Sequence, residues 1–250
     1  GVAVVNNREV YVSSTGGEYA RIAFFDPATF PTAVDDVLVT DEDTTASVNL
    51  ITGPGADSDP EGDTLTILDA RDQFGTDIPL GTDDVIGGGG TIRVETNGDV
   101  TYDPTTTFQF LDDGESRSVF ITYTVSDGNG GTDVGRLDIT VNGENDAPVV
   151  AATQFRTISE NSTNLGGVGG FDPDSEPLEW SISGGADAAL FSINPRNGIL
   201  SFIDAPDFEA PGDDEGDKVY EVEVSIFDGD ANSVTRMTVN VFHVAEDPTR

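Results

Sequence analysis

Carboxylates are the side chains in this sequence best placed to do chemistry. Four sets stand out in its second half: Glu160 beside Asn161, Asp172-Pro173-Asp174, Asp207-Phe208-Glu209, and Asp228-Gly229. In extended chain, residues i and i+2 project to the same side, and Pro173 restricts the backbone between its neighbours. Asp172 and Asp174 are therefore expected to aim at one point, and Asp207 and Glu209 at another. Carboxylates held that close repel, and Lys218 is the only lysine in the chain. A bound cation is the economical remedy. Oxygen ligands without His or Cys select calcium or magnesium, and a flexible set of about six to eight oxygens favours calcium. Asp and Asn also satisfy turn backbones at strand ends, but turn chemistry calls neither for Glu nor for i, i+2 pairs. Asp228 adds a separate argument. It stands two residues after Ile226 on the inward register of a strand, where an uncompensated charge is costly.

The composition narrows the alternatives. Eleven Lys and Arg against 47 Asp and Glu leave a net charge of −36, which repels nucleic acid and anionic membrane surfaces. The acids divide into 32 Asp and 15 Glu, and an excess of the shorter acid points to turns or metal ligands. The absence of cysteine removes disulfides, thiolate metal sites and thiol nucleophiles. His243 is the only histidine; near the end of an alternating stretch, it reads as an exposed strand residue. No apolar run is long enough to span a membrane, and the first residues lack a basic region followed by an apolar one. Neither a membrane span nor an uncleaved signal peptide is expected, and a secreted chain would have been cut from something longer.

The elements that must position these acids are strands. Val119, Ile121, Tyr123 and Val125 alternate with polar residues and end in Asp127-Gly128; Tyr220, Val222, Val224 and Ile226 do the same and end in Asp228-Gly229, 101 residues later. Ile92 and Val94 lead through Asn97-Gly98 to Val100 and Tyr102, while Phe191 and Ile193 lead through Asn197-Gly198 to Leu200 and Phe202. Asn-Gly between alternating runs marks a hairpin. Leu137, Ile139 and Val141 close the first unit; Met237, Val239 and Val241 close the second. An all-strand repeat of this length predicts tandem Greek-key β-sandwiches. The expected domains are 31–143 and 144–250, with 1–30 as a terminal hairpin around Gly16-Gly17 that closes a preceding unit or caps this one. The first unit carries extra residues that include Gly87 to Gly90. With no helix following and no lysine near, this run reads as a mobile loop rather than a phosphate cradle.

From Pro148 to Val244 the second unit resembles a cadherin repeat, with Glu160-Asn161, Asp172-x-Asp174, Trp180-Ser181-Ile182, Asp207-Phe208-Glu209 and Asp228-Gly229 in order after Asn145-Asp146-x-Pro148. The first unit, Pro31 to Val141, is similar to the cadherin-like repeats found in tandem in large bacterial adhesins of the RTX type. Its motifs are Asp35-Asp36, Asp41-Glu42-Asp43, Asp57-x-Asp59-Pro60 and Ser126-Asp127-Gly128. Its counterparts of Asp207-x-Glu209, namely Asp112, Asp113 and Glu115, are approximate. The resemblance implies immunoglobulin-like sandwiches joined by short calcium-binding linkers. Its ligands would be Glu42, then Glu144, Asn145 and Asp146, then Asp172, Asp174 and Asp228; Asp57, Asp59 and Asp127 would serve the first unit. Glu160, Asp207 and Glu209 would face a further joint near Glu246 and Asp247.

The function expected from these features is non-enzymatic: a calcium-stiffened extender in a secreted adhesin at the bacterial cell surface, with Ca2+ as its cofactor. Its partners would be neighbouring repeats of the same chain and a cell-surface glycan or protein, with the fragment itself monomeric. A glycan- or peptide-binding module on the same scaffold is the alternative. It needs an exposed aromatic platform, whereas Trp180 lies in an alternating strand and reads as core. A glycosidase pair of carboxylates is a third class, but every paired acid already has a strand-end position and a ligand role.

Overall fold

The computed structural model describes residues 3–6, 9–13, 19–23 and 30–245. Contacts divide the chain into two compact units, residues 1–107 with 117–141 and residues 108–116 with 142–250. In the first, β1 (Ala3–Asn6), β2 (Glu9–Ser13) and β3 (Tyr19–Ala23) form an antiparallel sheet in which Val10 pairs with Ile22 and Val12 with Ala20. The Gly16-Gly17 turn expected there lies outside the described residues, as do Glu246 and Asp247.

The rest of this unit is built from β4 (Asp36–Asp41), β5 (Ala46–Asn49), β6 (Thr66–Asp72), β7 (Asp77–Ile78), β8 (Asp84–Val85), β9 (Thr91–Val94), β10 (Asp99–Asp103), β11 (Ser116–Ser126) and β12 (Thr132–Asn142). They form two sheets, β4-β12-β11-β6-β7 and β5-β10-β9-β8. Alternation explains the division of faces: Val119, Ile121, Tyr123 and Val125 are buried along β11, as are Leu137, Ile139 and Val141 along β12. The Asn97-Gly98 hairpin pairs Val100 with Val94 and Tyr102 with Ile92, and Gly98 takes the positive φ of 89° that the turn needs.

The second unit contains β13 (Thr153–Ser159), β14 (Asn164–Gly167), β15 (Glu179–Gly184), β16 (Phe191–Ile193), β17 (Ile199–Phe202), β18 (Val219–Phe227) and β19 (Asn232–Phe242). Their order is β13-β19-β18-β15 in one sheet and β14-β17-β16 in the other. Non-consecutive neighbours in both sheets make this a Greek-key sandwich of seven strands. The first unit repeats the plan with β7 and β8 added at the sheet edges. β13 runs parallel to β19. Inward residues of both sheets share one core, in which Leu200, Phe202, Tyr220, Val222, Met237 and Val239 are buried together and Trp180 packs against them.

One sequence expectation is overturned. The Gly87–Gly90 run is a packed turn, because the extra residues fold back as β8 onto β9. The Gly87 N–H donates to Asp72 Oδ2 (2.9 Å), and the Tyr102 hydroxyl donates to the Gly89 carbonyl (2.9 Å). A Cβ on Gly88 would meet the Val119 side chain at 2.6 Å, and one on Gly90 would meet the Tyr102 ring. Glycine is required here by close approach to the core, which composition alone does not reveal.

Candidate metal centre

The acids of the second unit gather where strands end and turns begin. Asp172 follows the bridge between Val149 and Phe171, and Asp228 follows β18. Each is buried, with relative exposures of 8 % and 6 %. Each uses Oδ1 for its own turn: Asp172 Oδ1 accepts the N–H of Asp174 (3.0 Å) and Glu176 (3.3 Å), and Asp228 Oδ1 accepts the N–H of Asp230 and Ala231 (both 2.7 Å). Turn chemistry therefore fixes these carboxylates without consuming them.

Asp172, Glu176 and Asp228 each offer an oxygen within 4.8 Å of the others. Asp174 turns Oδ2 to the Asp146 N–H (2.7 Å), and the Asn145 amide reaches Asp228 Oδ2 at 3.5 Å. The i, i+2 argument meets a different backbone here. Residues 172–175 form a turn, with the Ser175 N–H on the Asp172 carbonyl (3.2 Å) and Ser175 at φ 69°. It is Glu176, absent from the sequence-derived ligands, that joins Asp172, because the turn swings i+4 back toward i.

Asp172 Oδ2, Asp174 Oδ1 and Glu176 Oε2 are buried atoms with no hydrogen-bond partner. Burial, and then the charges of Asp112, Asp228, Asp172 and Asp174, push the Glu176 carboxyl above its ordinary range. Asp174 is pushed up chiefly by burial and then by Asp172, Asp112 and Asp228, against the Asp146 N–H. In Asp228 the turn N–H groups and Asn145 outweigh burial and hold the carboxyl down. The arginine ion pairs at Asp69, Asp77, Asp83, Glu95, Asp138 and Glu221 do not reach this cluster. Oxygens that are buried, unpartnered and mutually repelling fit a hard divalent cation. Asp112, Asp113, Glu144, Asn145, Glu176, Gly229 and Asp230 line the adjoining open basin.

The first unit repeats the motif. Asp57 Oδ1 accepts the Val34 N–H (2.8 Å), and Asp59 Oδ1 accepts the N–H of Glu61 (2.9 Å) and Asp63 (3.0 Å). Their Oδ2 atoms are buried and unpartnered. Burial first, then the charges of Asp36 and Asp133 against the Val34 N–H, pushes Asp57 up to about 6. Asp36 is buried and accepts from the Tyr123 hydroxyl (3.1 Å). Asp127 commits its carboxylate to the N–H groups of Asn129 and Gly131. Glu42 is buried just after β4, while Glu144 is exposed.

Elsewhere in the second unit, Asp207 Oδ1 accepts the N–H of Glu209 (2.9 Å) and Ala210 (3.1 Å). Glu209 instead meets buried Glu160 across His243. Asp207 thus uses Oδ1 for its own turn, as Asp172 does. Glu160 accepts the N–H of Val244 and Phe208; those bonds outweigh burial, and with His243 they hold its carboxyl below the usual range.

Residues 29–143 match a family model described as the bacterial cadherin-like domain. Comparison with curated proteins gave no match. Among solved structures, the EC22-24 segment of mouse cadherin-23 aligns with 94% of this chain and 73% of its own, at 13% identity and a TM-score of 0.46. Human mucin-like protocadherin EC1-2 aligns over 86% and 99% at 13% identity and 0.47, and protocadherin gamma C5 EC1-3 over 96% and 77% at 15% identity and 0.47. The sequence match falls on the unit that carries Asp57, Asp59 and Asp127, and over residues 29–143 this chain is similar to the bacterial cadherin-like domain.

Proposed function

We propose that this chain is a calcium-binding segment of a large secreted bacterial adhesin, with repeats 31–143 and 144–250 stiffened by calcium and no catalytic role. The observation that carries the reading is the set of buried, unpartnered oxygens of Asp172 (Oδ2), Asp174 (Oδ1) and Glu176 (Oε2). Asp228, Asn145, Asp146 and Glu144 would complete the ligands there. Asp57, Asp59 and Asp127 would serve the first repeat, and Glu160, Asp207 and Glu209 would serve the far end. Bound calcium supplies the positive charge that the side chains lack. The turns at Asp172 and Asp228 hold the oxygens in place beforehand, which lowers the entropy lost on binding. A bound state stabilises only the folded chain, so repeats of this kind would fold firmly outside the cell, where calcium is abundant. Residues 1–30 would close a preceding repeat or cap this one. The segment would act as a monomer between neighbouring repeats of its own chain, holding a distant glycan- or protein-binding end away from the cell.

Calcium titration followed by calorimetry and thermal melting tests this. Saturable binding with a raised melting temperature is expected, with magnesium a poor substitute because it demands tight octahedral geometry. An unchanged melt in excess chelator would sink the reading.

A further inference from the structure

His243, the single imidazole of the chain, lies just past β19 rather than within a strand. Its Nδ1 stands 2.9 Å from Glu160 Oε1 and 3.0 Å from Glu209 Oε1. Glu160 is held from two sides: Oε1 accepts the Val244 N–H (2.7 Å) and Oε2 the Phe208 N–H (3.1 Å). This one buried side chain, 3 % exposed, therefore clamps the residue after His243 to the residue before Glu209. The His243 ring lies with its centroid 5.6 Å from that of Phe208, which limits its swing. The three ligand atoms all fall within 4.8 Å of one another.

A single Nδ1–H can be directed at only one carboxylate oxygen at a time, whereas a dication in its place satisfies both and the nitrogen together. Ligands bound to one zinc ion at about 2.0–2.2 Å stand about 3.3–3.6 Å apart around a tetrahedron. The separations of 2.9 and 3.0 Å fall a few tenths of an ångström short of that, so a small outward shift of the half-exposed His243 and Glu209 side chains admits the ion. Donor type decides the metal class. Calcium and magnesium take oxygen ligands, while imidazole with carboxylate suits zinc and its neighbours. The half-exposed positions of His243 and Glu209 leave room for water in the fourth position. We propose that Glu160, Glu209 and His243 form a binding site for a zinc-class transition-metal dication. The repeat supplies a contrast within the chain: the closing strands lie 100 residues apart, Val141 matching Val241, so Gly143 stands where His243 does and the first repeat ends without the imidazole. The site competes with calcium only at this end of the second repeat. The Asp172, Glu176 and Asp228 cluster plays no part in it.

Because the chain has one histidine, its imidazole nitrogen resonances report this site alone. In calcium-free buffer, one equivalent of zinc should shift them strongly, and added calcium should weaken the effect. The apparent Kd should weaken tenfold or more in Glu209→Gln, and the tight site should be lost in His243→Asn. Both variants alter half-exposed side chains and should fold. Imidazole resonances that do not move with several equivalents of zinc would overturn the proposal, as would equal zinc affinity in Glu209→Gln and the native chain, the behaviour of a lone surface histidine. The calcium reading is tested separately by the chelator melt of His243→Asn, which should keep its full calcium response.

Discussion

Asp172 and Asp228 hold carboxylate oxygens within 4.8 Å of each other, and both use Oδ1 to fix a turn. The turn bond sets the direction of the second oxygen, so substitutions that keep Oδ1 separate the structural role from the ligand role. Asp172→Asn should leave the metal-free melt nearly unchanged, because Oδ1 still serves Asp174 and Glu176. It should remove much of the stabilisation by calcium. Melting curves with chelator and with calcium decide this, and a loss of equal size in both conditions would assign Asp172 to the turn alone.

Glu176 sits among like charges, and burial raises its carboxyl further. Glu176→Gln should therefore raise the melting temperature in chelator and lower the increment gained from calcium. This crossing of sign distinguishes a ligand from a merely crowded acid. Parallel lines for variant and native chain would count against it.

Removing calcium should have a large effect. A ligand present at 100 times its Kd contributes about 2.7 kcal/mol to the folded state, and 1 kcal/mol moves the melting temperature of a domain of this size by roughly 4–8 °C. Chelation should lower the melt of the second repeat by about 10–20 °C, as followed by calorimetry.

Asp72 makes an independent prediction about pH. Burial would raise its carboxyl, but the N–H groups of Thr76, Gly87 and Phe74 together outweigh burial and hold it below the usual range. With a folded value below the unfolded one of about 3.9, its contribution is complete above that pH and is lost as pH falls through the folded value. In Asp72→Asn an amide N–H would face either the Gly87 N–H or those of Phe74 and Thr76, a cost of about 1–3 kcal/mol at neutral pH. The variant should be insensitive to calcium and should show a shallower acid limb in urea denaturation. An acid limb as steep as in the native chain would assign that pH dependence to other carboxylates.

Gly90 tests whether the glycine run is packed. Its φ of 82° is one that side chains rarely adopt, and a Cβ there would enter the space of the Tyr102 ring. Strain of about 1–2 kcal/mol for the backbone adds to about 1–3 kcal/mol for overpacking. Gly90→Ala should unfold at clearly lower urea than Gly114→Ala, which has the same φ of 82° but open space around it. Equal midpoints would mean that Tyr102 gives way freely.

The sandwich was legible because its signals are local. Alternation in Val119–Val125 and Tyr220–Ile226 sets which face is buried, and Asn97-Gly98 and Asn197-Gly198 set the hairpin registers. These are properties of a few consecutive residues. The acids Asp172, Asp174, Glu160 and Asp228 were legible as types for the same reason, since charge at inward or strand-end positions demands compensation. Their grouping was not. Whether Asp174 or Glu176 joins Asp172 depends on φ and ψ through a tight turn, and whether Glu209 turns toward Asp207 or toward Glu160 depends on hydrogen bonds formed by distant backbone. The glycines at 87–90 need Tyr102 and Val119 beside them before their purpose can be read. His243 looked like an exposed strand residue because nothing next to it in sequence is acidic. Only the return of β19 past the end of β13 brings Glu160 to it, and pairing between strands so far apart along the chain is a tertiary decision.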